Sequence, residues 1–492
     1  MAAQNLLTVL VDWARDGTWT TATDDVSTYQ RGTITASYGR DQSTSSGGLI
    51  AGRGTFELDN RTRRFSPQNA SSPLAPNVLP ARPALITRTV GATTYTVFRG
   101  HTDDQDVTPD LASKRVTFNL VDFLADFRGV KVTTALLSGV KTGAAIGAVL
   151  DAVGWTAGRD IDTGATTIPY FWANNDDAAD LLQQLVASEG PPSLVTIDAS
   201  GAFVFRDRHH RFTRAASTSV QSSWRGAEGS PEPRLGTGFS YTSNWAGIVN
   251  AAQTTVSERA PTRALTEVWS TDETVTIPAG GTWSVTISTT DPFFGAVTPD
   301  DTDLNITYGA VLFTDLSQTS GTTTTLTITP GVGFPSVVID GLRLRAYSLP
   351  VVRSRVVSSS DSASQAKYGV RSLPSGVDPV WASYWDAQAL MDLYVASRKN
   401  PVPLVTARFN CHHTQTARLD AVLKRNLSDR VAITEPETGL SSAPFFIEAI
   451  AHTIQGVTEH EVIFTCEAAP ATPTSAFILG TSTLDGATPL GY

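Results

Sequence analysis

The sequence predicts a mainly β protein with an α+β insertion. Three observations carry that expectation. Segments in which apolar side chains alternate with period two recur near both ends of the 492-residue chain. Thr and Ser are abundant, as in the run Thr322–Thr329, and β-branched residues fit a pleated surface better than a helix. The period lengthens to that of a helix in only a few places, chiefly Thr142–Val153 and Asp176–Glu189. The expected plan is a small β-barrel module at each end, with a helix–helix–hairpin subdomain and an inserted β-sandwich between them.

Residues 1–127 read as the first barrel. Strands are expected at Leu6–Trp13, Arg31–Tyr38, Arg53–Leu58, Ala84–Thr89, Tyr95–Phe98 and Arg115–Leu120, with Gly91-Ala92-Thr93 as a hairpin turn. Asp122 is placed to cap a short helix through Phe127. Residues 128–215 read as the α+β subdomain. Its first helix stacks Ile146, Val149, Leu150 and Val153 and stops at Gly154. Its second stacks Leu181, Leu182, Leu185 and Val186 and stops at Gly190-Pro191. A hairpin of Leu194–Ile197 and Phe203–Arg206 follows. Residues 216–272 are expected to be a linker with connecting strands, and 273–350 a strand-rich sandwich. In 351–470, Asp378-Pro379 opens a helix running to Asn400-Pro401. Strands at Leu404–Cys411, Asp429–Ile433, Phe445–Ile454 and Glu461–Cys466 then form the second barrel. Residues 471–492 read as a polar tail that orders on assembly.

Composition narrows the function. Net charge is −10, the opposite of the basic field that gripping DNA phosphates requires. That charge is compatible with a channel through which DNA slides. Two cysteines, Cys411 and Cys466, are too few for a disulfide framework and read as buried thiols. The N-terminal residues lack the basic start of a signal peptide, and no apolar run is long enough to span a bilayer. Folding in a cytoplasm, without membrane insertion, is the expectation.

The stretch from Arg53 to Ile86 is the most specific part of the chain. A strand ends at Leu58, the polar turn Asp59-Asn60-Arg61 follows, and a long connection carries Pro67, Pro73, Pro76, Pro80 and Pro83 before strand pattern resumes. A loop of this length is costly unless it packs on something. The pattern resembles the opening barrel of minor tail, or tail hub, proteins of siphophages that infect actinobacteria. There a strand ending Leu-Asp-Asn precedes an Arg-Phe-Ser-Pro turn, a Ser-Pro to Pro-Asn run and a closing Arg-Pro. Leu58, Asp59 and Asn60, then Phe65, Ser66 and Pro67, then Pro83, match in order. Phe98 and Gly100 at a strand end, and Asp122 after Thr117–Val121, match the family's next segment. Near the other end, Tyr368-Gly369-Val370-Arg371, Asn400-Pro401, Ser428 with Asp429, Arg430 and Val431, and Phe446-Ile447-Glu448 resemble its last domain. The plan is also similar to contractile-phage baseplate hubs and type VI secretion spike hubs. The resemblance covers about half of the chain and leaves 273–350 unassigned.

That resemblance implies a structural protein of the phage tail tip, assembled in the host cytoplasm and resident in the virion. The end modules would be tube-type barrels, and three chains would form a pseudo-six-fold ring. Partners would be further copies of the chain (a homotrimer, or a hexamer), the distal tail or tube protein, the tape measure and receptor-binding proteins. DNA would meet it only in transit, as the host is attached and the genome ejected. Docking on the tube would order the proline-rich connection. Arg61, Arg63 and Arg64, the densest basic patch, would face an acidic neighbour, lumenal DNA or solvent. The rivals are a six-fold distal tail ring, a carbohydrate-binding adhesin using the sandwich, and a cell-wall hydrolase.

Catalytic signatures do not support an enzyme. The chain has no Gly-x-Ser-x-Gly, His-Glu-x-x-His, Cys-x-x-Cys or phosphate-binding loop. His209-His210 and His412-His413 are read as strand neighbours pointing to opposite faces, and are joined by His101, His452 and His460. Asp103, Asp104 and Asp106, and Asp300, Asp301 and Asp303, read as solvated turns without calcium-loop spacing. Trp155, Tyr170, Phe171 and Trp172 read as core, with an interface anchor or a glycan platform as the alternatives. No cofactor or metal is expected.

Overall fold

Strand Leu7–Val11 (β1) buries Leu7, Val9 and Val11 and faces solvent with the residues between, as alternation demands. The computed structural model describes residues 7–19, 22–40, 50–104, 107, 109–226, 238–300, 302–374 and 379–469. The expected tail at 471–492, Asp106, Asp301 and Asp378 lie outside them. Five more strands complete the first module: Gln30–Gly39 (β2), Arg53–Asp59 (β3), Pro83–Val90 (β4), Thr93–Thr102 (β5) and Arg115–Val121 (β6). They pair antiparallel in the order β1-β4-β5-β6-β3-β2 around a core that includes Trp13, Phe56, Phe65 and Phe118. The proline-rich connection is ordered by this module itself. Phe65, Leu74 and Val78 bury in its core, so no partner is needed to fix it.

The insertion contains Lys131–Lys141 (β7), Thr142–Val153 (α1), Arg159–Ile161 (β8), Thr167–Asp177 (β9), Ala178–Glu189 (α2), Leu194–Ile197 (β10) and Phe203–Arg206 (β11). Both helices and the β10–β11 hairpin lie where periodicity places them. Gly154 closes α1 at φ 78°, with Trp155 N–H donating to Leu150 O, and the Asp177 carboxylate caps α2. The long β7–β9 ribbon was not anticipated. Two short helices, His210–Thr213 (α3) and Ala215–Thr218 (α4), return the chain to the main sheet.

Val220–Arg225 (β12) falls in the polar stretch read as linker yet is a sheet member, and Ser240–Asn244 (β13) is one of the connecting strands expected in that segment. β12 runs parallel beside a late strand and β13 forms an edge. Strand Ala251–Arg259 (β14) leads into a lobe of Thr266–Thr271 (β15), Val275–Pro278 (β16), Trp283–Ser288 (β17), Phe293–Val297 (β18), Leu304–Tyr308 (β19), Val311–Gln318 (β20), Thr323–Pro330 (β21) and Ser336–Ser348 (β22). A five-stranded sheet built on β22 and the three-stranded sheet β17-β21-β20 share one core, which is the expected sandwich. Val351–Ser360 (β23) pairs antiparallel with β14, so the lobe sits at the tip of a two-stranded ribbon.

After Ser362–Tyr368 (α5) comes Tyr384–Arg398 (α6). Ser383, not Asp378, caps this helix, by accepting from Asp386 N–H. It packs Ala387, Leu390, Met391 and Tyr394 on the β14–β23 ribbon and so builds a small core of its own. The last module comprises Val402–His412 (β24), Thr416–Leu423 (α7), Arg430–Glu435 (β25), Leu440–Gln455 (β26) and Glu459–Ala468 (β27).

The mainly β plan with a strand module at each end is present, but the two modules are joined rather than separately closed. No closed barrel is found among the described residues; the ends of the chain form one twelve-stranded sheet, β1-β4-β5-β6-β3-β2-β26-β27-β24-β13, with β25 and β12 branching from β26. Closure of the first module is forestalled because the free side of β2 pairs with β26, from Thr33 opposite Gln455 to Gly39 opposite Ala449.

Candidate functional site

The joint between the end modules is the chain's most constrained place, and β26 makes it. Its first half pairs with β25 up to Phe446, and its second half pairs with β2 from Ala449 onward. The register with β27 slips between Ile447 and Ala449, a bulge at the point where the partner changes. Bulges re-aim a side chain. Here the residue within the slip is Glu448, whose side chain is fully buried.

Two arginines meet that carboxylate. Arg40, just after β2, donates its backbone N–H to Glu448 O at 2.9 Å and Nη1 to Oε2 at 3.1 Å. Arg211 of α3 donates Nη2 to Oε1 at 2.5 Å and lies 4.5 Å above the Phe446 ring. Arg398 pairs with Glu467 nearby at 2.8 Å. Burial opposes the charge on Glu448, but Arg211 and Arg40 more than offset it and hold its pKa below the ordinary carboxylate value. Burial also lowers the Arg211 pKa, yet an arginine starts so high that the guanidinium stays charged. Arginines from two distant chain regions therefore fix a carboxylate in a third.

The surroundings are tight. Gly39 adopts φ 141°, and a Cβ there would stand 2.5 Å from Ala449 Cα. Ser428, at φ 65°, donates its N–H to Ile447 O at 2.7 Å. Its Oγ is 2.8 Å from His210 Nε2, while His210 Nδ1 lies 2.6 Å from Asp207 O. A carbonyl can only accept, so Nδ1 carries the proton and Nε2 accepts from Ser428. Burial, reinforced by Arg211, pulls the His210 pKa down to about 3. The His209-His210 pair is thus not on a strand as expected: His209 precedes and His210 starts a helical turn.

A second basic cluster lies further along β26. His452 Nδ1 is 3.1 Å from His460 Nε2, and both rings are buried. Burial lowers His452 to about 4, and burial, with neighbouring His452 and Arg88, holds His460 well below the ordinary histidine value. Arg88 is fully buried and donates Nη2 to Val457 O at 2.8 Å. A cavity of about 380 Å³ opens beside this cluster, lined by Tyr38, Arg99, Asp122, Arg206, Arg425 and His452 among others.

The motif residues divide between the two modules. Asp429, Arg430 and Val431 are buried at the joint: Asp429 accepts from Asn426 N–H at 3.1 Å, Arg430 lies 5.7 Å from the Phe446 ring, and Val431 is core. The N-terminal set stays within its own module. Leu58, Phe65 and Phe98 are core. Asn60 accepts from Phe65 N–H and donates to Ser66 Oγ, both at 2.9 Å, fixing the turn that holds Pro67. Asp59 pairs with Arg61 and Arg31. Pro83 starts β4 opposite His101. A Cβ on Gly100 would sit 2.1 Å from Val121 O, which is why glycine stands there. Asp122 accepts from Gly52 and Leu124 N–H groups, and its burial raises its pKa to about 6. Of the basic patch, Arg61 is engaged with Asp59, Arg64 covers Tyr29, and Arg63 is exposed.

Arg40, Arg211, Arg88 and the role of Glu448 escaped sequence reasoning. The one available signal was an acidic residue inside the apolar run Phe445–Ile450. Asp303, placed among the solvated acids, is buried and paired with Arg345 at 2.6 Å. Among the described residues no cluster of His, Cys, Asp or Glu is arranged to hold a metal, and no helix is long and apolar enough to cross a membrane.

No protein-family model and no curated protein matches the chain. Solved structures do. A 43 kDa tail protein from prophage MuSo2 of Shewanella oneidensis aligns over 95% of this chain and 98% of its own, at 11% identity and a TM-score of 0.48. A tail protein of Neisseria meningitidis aligns over 96% and 99%, at 8% identity and 0.49. A type VI secretion component of E. coli, described as similar to bacteriophage T4 tail proteins, aligns over 94% and 77%, at 8% identity and 0.41.

Proposed function

We propose that the chain is a structural component of a phage tail tip, a hub that closes or extends the tail tube. One observation carries the reading: strands from the two ends of the chain join through β2 and β26 into one sheet that ends on β13 at one side and, at the other, on β1, whose outer side is covered by Asp24–Ser27. A broad sheet with an open edge strand such as β13 invites further pairing, and copies related by rotation satisfy that edge by closing a ring. Three copies, each supplying two modules, would give a collar with six similar segments. The lobe, held on a ribbon away from the joint, would project outward. The mechanism is assembly rather than turnover.

In this reading the virion tail tip is the chain's location, and its partners are further copies, the tube or distal tail protein, the tape measure and receptor-binding proteins. DNA passes through the lumen without being held, consistent with the −10 net charge. Imaging of virions with an antibody to the lobe tests the proposal. Label at the tail tip with three copies around the axis is the expected result. Six copies would favour a distal tail ring, and label absent from the tail would overturn the reading.

A further inference from the structure

On the outer side of the α+β insertion, two tryptophans and a set of carboxylates enclose a groove of about 290 Å³. The rings of Trp172 and Trp381 stand 5.4 Å apart at 89°, forming two perpendicular walls. The walls are held in place. Trp381 donates its indole N–H to Gln184 Oε1 at 3.1 Å and its backbone N–H to Ser188 Oγ at 3.2 Å, and its ring meets Phe171 edge-on at 4.9 Å. Trp172 is braced by the lobe, where a Cβ on Gly321 would stand 2.5 Å from the indole.

The polar lining is of one sign. Asp176 and Asp180 are exposed on the rim, and Asp180 has no ion-pair partner among the described residues. Asp177 is already occupied as the cap of α2 and as acceptor for Gly129 N–H. No lysine or arginine lines the groove. Aromatic faces and carboxylates together attract a planar cation, which stacks on an indole while its N–H groups reach the acids. The chain supplies an example at this same ring, since the Arg259 guanidinium lies 5.4 Å from the Trp172 centroid.

We propose that this groove is a docking site for an arginine side chain of a neighbouring protein. Charge complementarity selects the cation, and the perpendicular indoles select a flat guanidinium over a compact ammonium. The proposal rests on the groove alone and is independent of ring formation.

The test uses the full chain and ligand-observed saturation-transfer NMR. N-acetylarginine methylamide is titrated beside its neutral citrulline counterpart and N-acetylglucosamine. The arginine probe should bind at least about tenfold more tightly than the citrulline probe, as expected for losing one charged hydrogen-bonded contact. Asp176→Asn with Asp180→Asn should reduce it to the citrulline level, and about 0.5 M salt should weaken it. Asp315→Asn, on the exposed face of the lobe, should change nothing. Both rim aspartates are exposed, so their substitution leaves the core intact. Equal binding of the two probes, insensitivity to the rim substitutions, saturation by the sugar alone, or no saturation by any probe would overturn the proposal.

Discussion

Glu448 shows what a single buried charge does in this molecule. Two guanidiniums meet it, and loss of the carboxylate leaves both of them in the interior without their counter-ion. Such losses typically cost about 3–5 kcal/mol. Glu448→Gln should therefore lower stability by that order in urea unfolding, and a cost below about 1 kcal/mol would show that the network does not hold the joint. His452 supplies a second residue-scale prediction. Its folded pKa of about 4 lies below the ordinary histidine value near 6.5, so the unfolded chain binds the proton first as pH falls. Its contribution is complete above about pH 6.5 and is lost as pH falls towards 4. Asp122, raised to about 6, takes up a proton in the folded state over part of that range and acts with the opposite sign. The clean readout is thus a difference. The stability gap between the wild type and His452→Gln should shrink by about 1.4 kcal/mol per pH unit between roughly pH 6 and 4.5. A gap that stays constant would show that His452 does not titrate as its burial requires.

At the scale of elements, two glycines set how closely strands approach. Gly39 ends β2 against Ala449, and Gly100 brings β5 against the end of β6. A methyl at either position overlaps backbone, which cannot swing aside as a flexible side chain can. Gly100 is not at positive φ, so contact alone opposes a methyl there, and Gly100→Ala should cost about 1–3 kcal/mol through overpacking. Thermal unfolding checks this, and an unchanged midpoint would show that contact at Gly100 does not set the approach of β5 to β6. The same elements explain what could be read in advance. β1, β3, β4 and β6 alternate, because each has one face on a core and one turned away from it, so their patterns showed in the residues. β13 has almost no buried face, so its residues mark a connecting strand without showing which sheet it joins. β12 lies in a polar run, where only Trp224 reaches the core. The joint itself was invisible. Its strands lie some four hundred positions apart, with Arg40 and Glu448 separated by 408 residues, and single-sequence periodicity reports faces, not partners. Of the site, the Ser428–Val431 and Phe446–Glu448 segments were recognised by resemblance, but neither carries a local signal of the arginines that complete it.

The whole molecule separates a continuous sheet from a lobe hung on its own stem. The β14–β23 ribbon keeps register from Ala251 opposite Ser360 to Glu258 opposite Arg353 and slips by one residue before Arg259 meets Val351, and α6 packs on the ribbon with a core distinct from that of the lobe. The lobe touches the insertion through few groups: Asn174 Nδ2 donates to Thr322 Oγ1 at 3.1 Å, and Gly321 abuts Trp172. An antiparallel ribbon needs only a tight turn at its tip, and an Asn-Gly pair supplies one. Replacing residues 261–349 by Asn-Gly should therefore leave the main sheet folded. Hydrogen exchange should report undiminished protection of the paired β2 and β26 amides, while Trp172 becomes more accessible. Because ring closure is assigned to the sheet edges and not to the lobe, the shortened chain should still enter virions and hold the same number of copies at the tail tip. Loss of protection along β2 and β26 would mean that the lobe helps to hold the joint. Intact protection with failure to assemble would instead assign the contacts between copies to the lobe, and would overturn the division of labour argued from the strand order.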